Sequence, residues 1–195
     1  MDSNARWLWL LRHGKAADHA AGGGPDRQRP LVARGKRDSG ALGRRLAAGQ
    51  GVLGLEGVPV PELIVCSSAV RTRQTAELVN QGLDDRLSIE AYASLYGATT
   101  DTALRYVREI DDGLRSALLV GHNPTMYQLA WELVAPVDDS GEEADEFDAT
   151  ASDRATLRTH GFPTCALAVV RLQVTSWEEA AEGCGRLAGV FSPPY

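Results

Sequence analysis

Six segments along the chain have the pattern of β-strands, and several of them are mainly apolar runs. They span Trp7–Leu11, Glu62–Cys66, Leu87–Tyr92, Ser116–Val120, Cys165–Val174 and Gly185–Phe191. The first run is apolar at every position, which is typical of a strand that is covered on both faces of a sheet. We therefore expect a central sheet whose first strand lies in its interior.

Between these runs, apolar residues recur with the spacing of α-helices. Helices are predicted over Arg34–Ala48, over Ala69–Asn80, over a segment that begins at a Thr100 cap, and over a segment with Asn123 as N-cap and Pro124 as first helical residue. Serine and asparagine favour the N-cap because their side chains accept from free backbone N–H groups. On the same ground Ser67 and Ser68 are expected to cap the second helix.

Strands and helices alternate over most of the chain, and the last two strands follow each other without a helix. This order predicts an α/β fold of three layers, with a mainly parallel central sheet and helices on both faces. The final pair favours a hairpin, and hence an antiparallel edge strand. A length of 195 residues suits a single domain over 1–195.

Charge is unevenly distributed along the chain. Between Asp138 and Asp148 there are seven acidic residues and no basic one, and without them the net charge of −6 becomes +1. We expect an exposed, flexible acidic insertion at about 137–159. The remaining surface has no basic tract that would indicate nucleic acid, and no apolar stretch is long enough to cross a membrane.

Three widely spaced cysteines favour buried free thiols over a disulfide framework or a zinc site. The amino-terminal residues do not have the pattern of a signal peptide. Together these features predict a cytoplasmic protein, with a monomer as the default oligomeric state.

Candidate chemistry lies where strands end. Arg12, His13 and Gly14 follow the first strand, His122 follows a central strand, and Arg71 falls in the first turn of a helix. In parallel sheets the ligand crevice lies at the carboxyl ends of the strands. We therefore expect these side chains to surround one crevice, where the helix start also favours an anion.

Two arginines and two histidines around one crevice suit a phosphoryl group. Arginine binds phosphate oxygens through a planar fork, and a neutral histidine can attack phosphorus and form a covalent phosphohistidine that water then cleaves. We expect His13 to attack and His122 to donate to a phosphate oxygen. No carboxylate cluster with metal-ligand spacing accompanies them, so neither a metal nor another cofactor is expected.

These segments resemble the motifs of the histidine phosphatase superfamily, and more narrowly those of its short SixA-type phosphohistidine phosphatases. The matching residues are Arg12 to Ala16, Asp26 with Arg29 and Leu31, Ser68 to Ala76, Leu95-Tyr96, Gly121 to Pro124, and Pro163-Thr164. The resemblance covers nearly the whole chain except the acidic insertion. It implies that His13 is the nucleophile and that Arg12, Arg71 and His122 complete the phosphate pocket.

The resemblance leaves other positions open. Gly14 is expected at the phosphate, Asn123 is a secondary candidate for a ligand contact, and Lys15 either contacts the substrate or faces solvent. Phosphoglycerate mutase-like members carry a glutamate as general acid, and here only Glu90 lies near that region. A missing acid favours a leaving group that needs little protonation, such as the imidazole of phosphohistidine in a protein.

Two other functions remain compatible with these residues. A small-molecule phosphomonoesterase would use the same pocket on a different substrate. A phosphate-binding or phosphoryl-carrier protein would form the phosphohistidine without turning over.

Overall fold

The computed structural model describes residues 5–48, 53–134 and 162–195, together with Asp153, Ala155 and Leu157. Within these residues six strands form one mixed sheet in the order β3-β2-β4-β1-β5-β6. The strands are β1 (Arg6–Arg12), β2 (Leu63–Ser67), β3 (Ser88–Tyr92), β4 (Ser116–Gly121), β5 (Leu167–Leu172) and β6 (Gly185–Phe191).

The predicted α/β fold with a mainly parallel sheet is confirmed. Strands β3, β2, β4 and β1 are paired in parallel. Strand β5 runs antiparallel to both β1 and β6, so the antiparallel pairings lie at one edge of the sheet. Strand β1 therefore lies in the interior, as its apolar run predicts.

In the described part of the chain, four α-helices with defined bounds cover the two faces of the sheet. They are α1 (Ala33–Ala47), α2 (Val70–Gly82), α3 (Thr100–Arg108) and α4 (Thr125–Leu133). Because side chains alternate along a strand, Trp9 and Leu11 pack on the face of α1 and α2, whereas Leu8 and Leu10 pack on the face of α3 and α4. Two apolar clusters result, one on each side of the sheet, which gives three layers.

The predicted caps of α2 and α3 were wrong in detail. Helix α3 is capped by Thr99, whose hydroxyl accepts from the amide of Thr102, and Thr100 is already helical. Helix α2 has Ala69 at its N-cap with no side-chain cap, because Ser67 belongs to β2. Neighbouring serine or threonine residues have similar N-cap preferences, so the sequence does not show which one caps a helix. The backbone conformation decides which hydroxyl faces the free amides.

The predicted cap of α4 was also wrong. Pro124 is the N-cap of this helix, and Asn123 does not cap it. The amide nitrogen of the Asn123 side chain donates instead to the carbonyl oxygen of Phe162, at 2.8 Å. The Asn123 side chain is therefore bonded to a residue 39 positions away in sequence, and not to the free amides at the start of α4.

The acidic run from Asp138 to Asp148 lies outside the described residues. Leu157, which falls in the range 137–159 predicted as an exposed insertion, is instead buried in the core and is only 1% exposed. In the described part of the chain, no helix has both the length and the apolar character that a membrane span needs.

Candidate active site

The site lies at the carboxyl ends of three neighbouring parallel strands. Strand β4 is flanked by β2 and β1, so the residues that end these strands stand side by side. His13 follows β1, His122 follows β4, and Ser67 ends β2. The rings of His13 and His122 are 5.2 Å apart between centroids.

His13 is held in one protonation state. Its Nδ1 lies 2.7 Å from the carbonyl oxygen of Gly14, and a carbonyl can only accept, so Nδ1 carries the hydrogen. Its Nε2 lies 3.3 Å from Nε of Arg71, which donates to it. Burial, together with the charges of Arg71 and Arg12, lowers the pKa of His13 to about 4, although the hydrogen bond to the Gly14 carbonyl acts in the opposite direction. The ring is therefore neutral near pH 7, with an unprotonated Nε2.

The turn after His13 is fixed by close packing. The amide of Gly14 donates to the hydroxyl of Thr75 at 3.0 Å. A Cβ on Gly14 would lie 2.8 Å from the carbonyl oxygen of Gly35, and a Cβ on Gly35 would lie 2.3 Å from that of Lys15. Helix α1 can approach this turn only because both positions are glycine. Gly14 thus has a packing and anchoring role beside the nucleophile candidate.

One ring nitrogen of His122 is buried without a hydrogen-bond partner in the described structure. The Nε2 of His122 lies 2.9 Å from the hydroxyl oxygen of Ser67. Its Nδ1 is buried and makes no hydrogen bond within the described structure. Burial lowers the pKa of His122 to about 3, and the neighbouring His13 and Arg71 act in the same direction. If the Ser67 hydroxyl donates to Nε2, the hydrogen of the neutral ring lies on Nδ1 and is available to a ligand.

Arg12 and Asn123 share one anchor. Nη1 of Arg12 donates to the carbonyl oxygen of Phe162 at 2.7 Å, and the Asn123 amide donates to the same oxygen. Two atoms of these side chains, Nε of Arg12 and Oδ1 of Asn123, are buried without a hydrogen-bond partner in the described structure. Unpartnered buried polar atoms are rare and call for an explanation, and a bound anion would satisfy the arginine.

Arg71 connects His13 to the carboxylate of Asp26. It is only 7% exposed. While its Nε donates to His13, its Nη1 and Nη2 donate to the backbone oxygen and to Oδ2 of Asp26, each at 3.0 Å. The Arg71 guanidinium therefore lies between the His13 ring and Asp26.

Asp26 and Tyr96 are site residues to which the sequence analysis gave no role. Oδ1 of Asp26 accepts from Arg29 at 2.6 Å, and Oδ2 accepts from the Tyr96 hydroxyl at 2.8 Å. These bonds and the charge of Arg71 hold the pKa of Asp26 far below its usual range. The Tyr96 ring also contacts the His122 ring edge-on, at 5.5 Å between centroids. Both residues belong to the segments that resemble histidine phosphatase motifs, and this resemblance is the sequence signal that could have identified them as site residues.

The two remaining candidates lie apart from this cluster. The side chain of Lys15 is exposed. Glu90 accepts from the Tyr92 hydroxyl and lines a cavity of about 340 Å³ with Glu62 and Ile110, which lie toward the amino-terminal ends of β2 and β4. The structure therefore does not bring Glu90 to the histidines. Among the described residues, no three or more His, Cys, Asp and Glu side chains are grouped as metal ligands.

Comparison with known proteins agrees with this geometry. The family model of the histidine phosphatase superfamily (branch 1) matches residues 8–96, which include most of β1, Asp26, Arg71 and Tyr96. Solved SixA-type structures extend the match to the rest of the fold. The chain belongs to the histidine phosphatase superfamily. It is accordingly a phosphatase, a class of hydrolase.

Relatives of this histidine phosphatase match it over nearly its full length. It is 33% identical to the uncharacterized protein Rv1276c of Mycobacterium tuberculosis over 184 residues, which cover 94% of this chain and 99% of that protein. A SixA-type structure from Nakamurella multipartitia is 29% identical, with a TM-score of 0.76 and 99% of both chains covered. The protein histidine phosphatase SixA in complex with tungstate is 25% identical, with a TM-score of 0.63 and coverage of 95% and 96%.

Proposed function

We propose that this histidine phosphatase removes the phosphoryl group from phosphohistidine in a protein, through a covalent intermediate on His13 and without a metal ion. One observation carries the proposal. The His13 ring is kept neutral by burial and by two arginines, and its Nδ1–H is bonded to the Gly14 carbonyl, so that Nε2 is unprotonated and carries the lone pair that attacks. A nucleophile held in this state needs no separate base.

The phosphoryl group is bound by donors that otherwise lack partners. Nε of Arg12 and Nδ1 of His122 are both buried without a hydrogen bond, and each can donate to a phosphoryl oxygen. Arg71 adds a positive charge beside Nε2 of His13. Donors fixed in advance stabilise the charge of the transition state without reorganisation. A relative, SixA, is known in complex with tungstate, an oxyanion with the tetrahedral shape of phosphate.

Transfer then exchanges one P–N bond for another. Nε2 of His13 bonds to phosphorus, the P–N bond of the substrate breaks, and its electron pair stays on the departing imidazole. His13 becomes a phosphorylated imidazolium, and its Nδ1–H remains bonded to the Gly14 carbonyl, 2.7 Å away. Water next attacks phosphorus, the bond to Nε2 breaks, and dihydrogen phosphate leaves a neutral His13 behind.

Among the described residues no side chain at the site is an evident proton donor to a leaving group, which favours an imidazole as leaving group. Asp26 contacts Arg71 in the cluster, but its pKa lies far below its usual range, so it is ionised and does not donate a proton near neutral pH. Glu90 lies elsewhere. A protonated phosphohistidine releases a neutral imidazole without further help, whereas the alkoxide of an alkyl phosphate needs a proton donor.

The test is phosphate release in the presence of EDTA from a histidine-phosphorylated protein, from free phosphohistidine and from an alkyl phosphate. We expect wild type to hydrolyse the two phosphohistidine substrates and His13→Ala to lose this activity. His19→Ala is the matched control, because His19 is an exposed histidine of the adjacent loop. Faster turnover of the alkyl phosphate would indicate a phosphomonoesterase, and a phospho-His13 that persists without release would indicate a carrier.

A further inference from the structure

We propose that Asp26 is a specificity-determining residue that selects a cationic leaving group, by accepting a hydrogen bond from the free ring N–H of a protonated phosphohistidine. This inference rests on the proposed function and names the residue that recognises the departing imidazole. Asp26 is paired with Arg29 and Arg71, but an anionic side chain beside a site for a dianion still opposes binding of the dianion, because like charges repel.

Asp26 is close to the reacting atoms. The Arg71 guanidinium bridges the two, with Nε 3.3 Å from Nε2 of His13 and Nη2 3.0 Å from Oδ2 of Asp26. For a phosphoryl group that approaches Nε2 of His13, the Asp26 carboxylate therefore lies on the far side of the Arg71 guanidinium. The proposal places the substrate ring attached to that phosphorus beside Asp26.

The carboxylate also has room for one more donor. An ionised carboxylate offers about four acceptor positions. Three are used, by Arg29 on Oδ1 and by Arg71 and Tyr96 on Oδ2. The Asp26 side chain is 47% exposed, whereas the Arg71 side chain is 8% exposed. The unused position therefore belongs to a group at the mouth of the site, open to an incoming ligand.

The carboxylate is held in position by three different segments. Arg29 follows it in the same loop, Arg71 is on α2, and Tyr96 follows β3. Arg29 also donates from Nε to the carbonyl oxygen of Ala17 at 2.6 Å, which ties the loop that carries Asp26 to the turn after His13. A group fixed in this way can recognise a ring by direction as well as by charge.

Charge balance during transfer explains why this placement favours phosphohistidine. Before transfer the substrate ring is a cation whose free nitrogen carries a hydrogen bonded to Asp26. When Nε2 of His13 bonds to phosphorus, the electron pair of the breaking P–N bond neutralises that ring, and the positive charge moves to His13. An alkyl or aryl phosphate would instead build negative charge on its departing oxygen, near the carboxylate.

A purely structural role for Asp26 predicts a different result. If Asp26 only oriented Arg71, its loss would impair all substrates equally, since Arg71 faces the phosphoryl group that they share. If Asp26 recognises the leaving group, its loss changes the ratio of rates between substrates. The ratio of kcat/KM for free phosphohistidine to kcat/KM for p-nitrophenyl phosphate therefore separates the two roles.

The experiment compares wild type, Asp26→Asn and Asp18→Asn, each checked for an unchanged melting temperature. Asp18→Asn is the matched control because Asp18 is an exposed acidic residue of the same loop. We expect Asp26→Asn to lower the ratio roughly 10- to 100-fold, the range for a hydrogen bond to a charged group. Asp18→Asn should change the ratio less than about threefold. A similar ratio in all three proteins would overturn the inference.

A second measurement needs no variant. A phosphohistidine methylated on its free ring nitrogen keeps the positive charge but lacks the hydrogen that Asp26 would accept. Wild type should use it roughly tenfold less well than the unmethylated compound, and equal use would overturn the inference while leaving the proposed function intact. If wild type hydrolyses p-nitrophenyl phosphate but no phosphohistidine, the proposed function fails and the inference fails with it.

Discussion

Thr75→Val tests whether the anchored turn after His13 matters for catalysis. The Thr75 hydroxyl accepts from the Gly14 amide at 3.0 Å and donates to the Arg71 carbonyl at 2.7 Å. Valine has a similar shape but no hydroxyl, so the substitution leaves the buried Gly14 N–H without a partner. The Arg71 carbonyl is less affected, because it is part of helix α2.

The expected magnitude follows from that one orphaned donor. A buried donor without a partner costs about 1–3 kcal/mol of unfolding free energy. For a chain of this size the melting temperature should fall by roughly 2–12 °C. Gly14 also positions His13 through its carbonyl. If the loss of this anchoring raises the activation free energy by about 0.5–1.5 kcal/mol, kcat/KM falls roughly 2- to 13-fold.

Thr72→Val provides the matched control on the same helix. Thr72 is equally buried, but its hydroxyl donates to the carbonyl oxygens of Ser67 and Ala69 and accepts from no amide that leads to His13. Both variants are compared by thermal unfolding and by phosphate release at a temperature where both are folded. Equal kcat/KM for Thr75→Val and wild type, or equal losses in the two variants, would refute the reasoning.

Two further predictions concern pH and packing. His13 has a pKa of about 4 in the folded chain against an ordinary value of 6.5, so the stability it contributes is present above pH 6.5 and is lost as the pH falls toward 4. Denaturant unfolding gives the free energy of unfolding at pH 6.5 and at pH 5. Between these two pH values His13→Gln should lose roughly 2 kcal/mol less of this free energy than wild type loses. Equal losses in the two proteins would contradict a neutral His13 ring. Gly35→Ala would place a Cβ 2.3 Å from the Lys15 carbonyl oxygen, and Gly43→Ala would place one 2.3 Å from that of Val79, away from the site. Both should unfold more easily, by roughly 1–3 kcal/mol, but only Gly35→Ala should also lower kcat/KM; equal kinetics in the two variants would count against this account.

The sheet could be predicted because its signal is local. Trp7–Leu11 is apolar at every position and Ser116–Val120 is apolar from Ala117 onward, and both segments form interior strands, β1 and β4. Their neighbours in the sheet could not be read from any window of sequence. Strand β1 lies between β4 and β5, which come more than 100 residues later, and only the completed fold defines that order.

The residues of the site could likewise be predicted from the sequence only in part. His13 and His122 could be placed at strand ends from the strand pattern alone, and their catalytic roles stay predictions. Asp26 and Tyr96 lie 70 positions apart and meet only through Arg71 and their own hydrogen bond. The Asn123 amide was assigned to a helix cap because its actual partner, the Phe162 carbonyl, is distant in sequence. Long-range polar contacts of this kind have no local signature.

The covalent intermediate on His13 is the central claim, and trapping it is the most direct test. The enzyme would be mixed with phosphohistidine carrying labelled phosphate, in EDTA, and stopped in alkali, which preserves phosphohistidine. We expect the label on a peptide containing His13 in wild type, lost on treatment with acid, and absent from His13→Ala. Turnover by wild type with no label on the enzyme, or the same label in His13→Ala, would contradict the account.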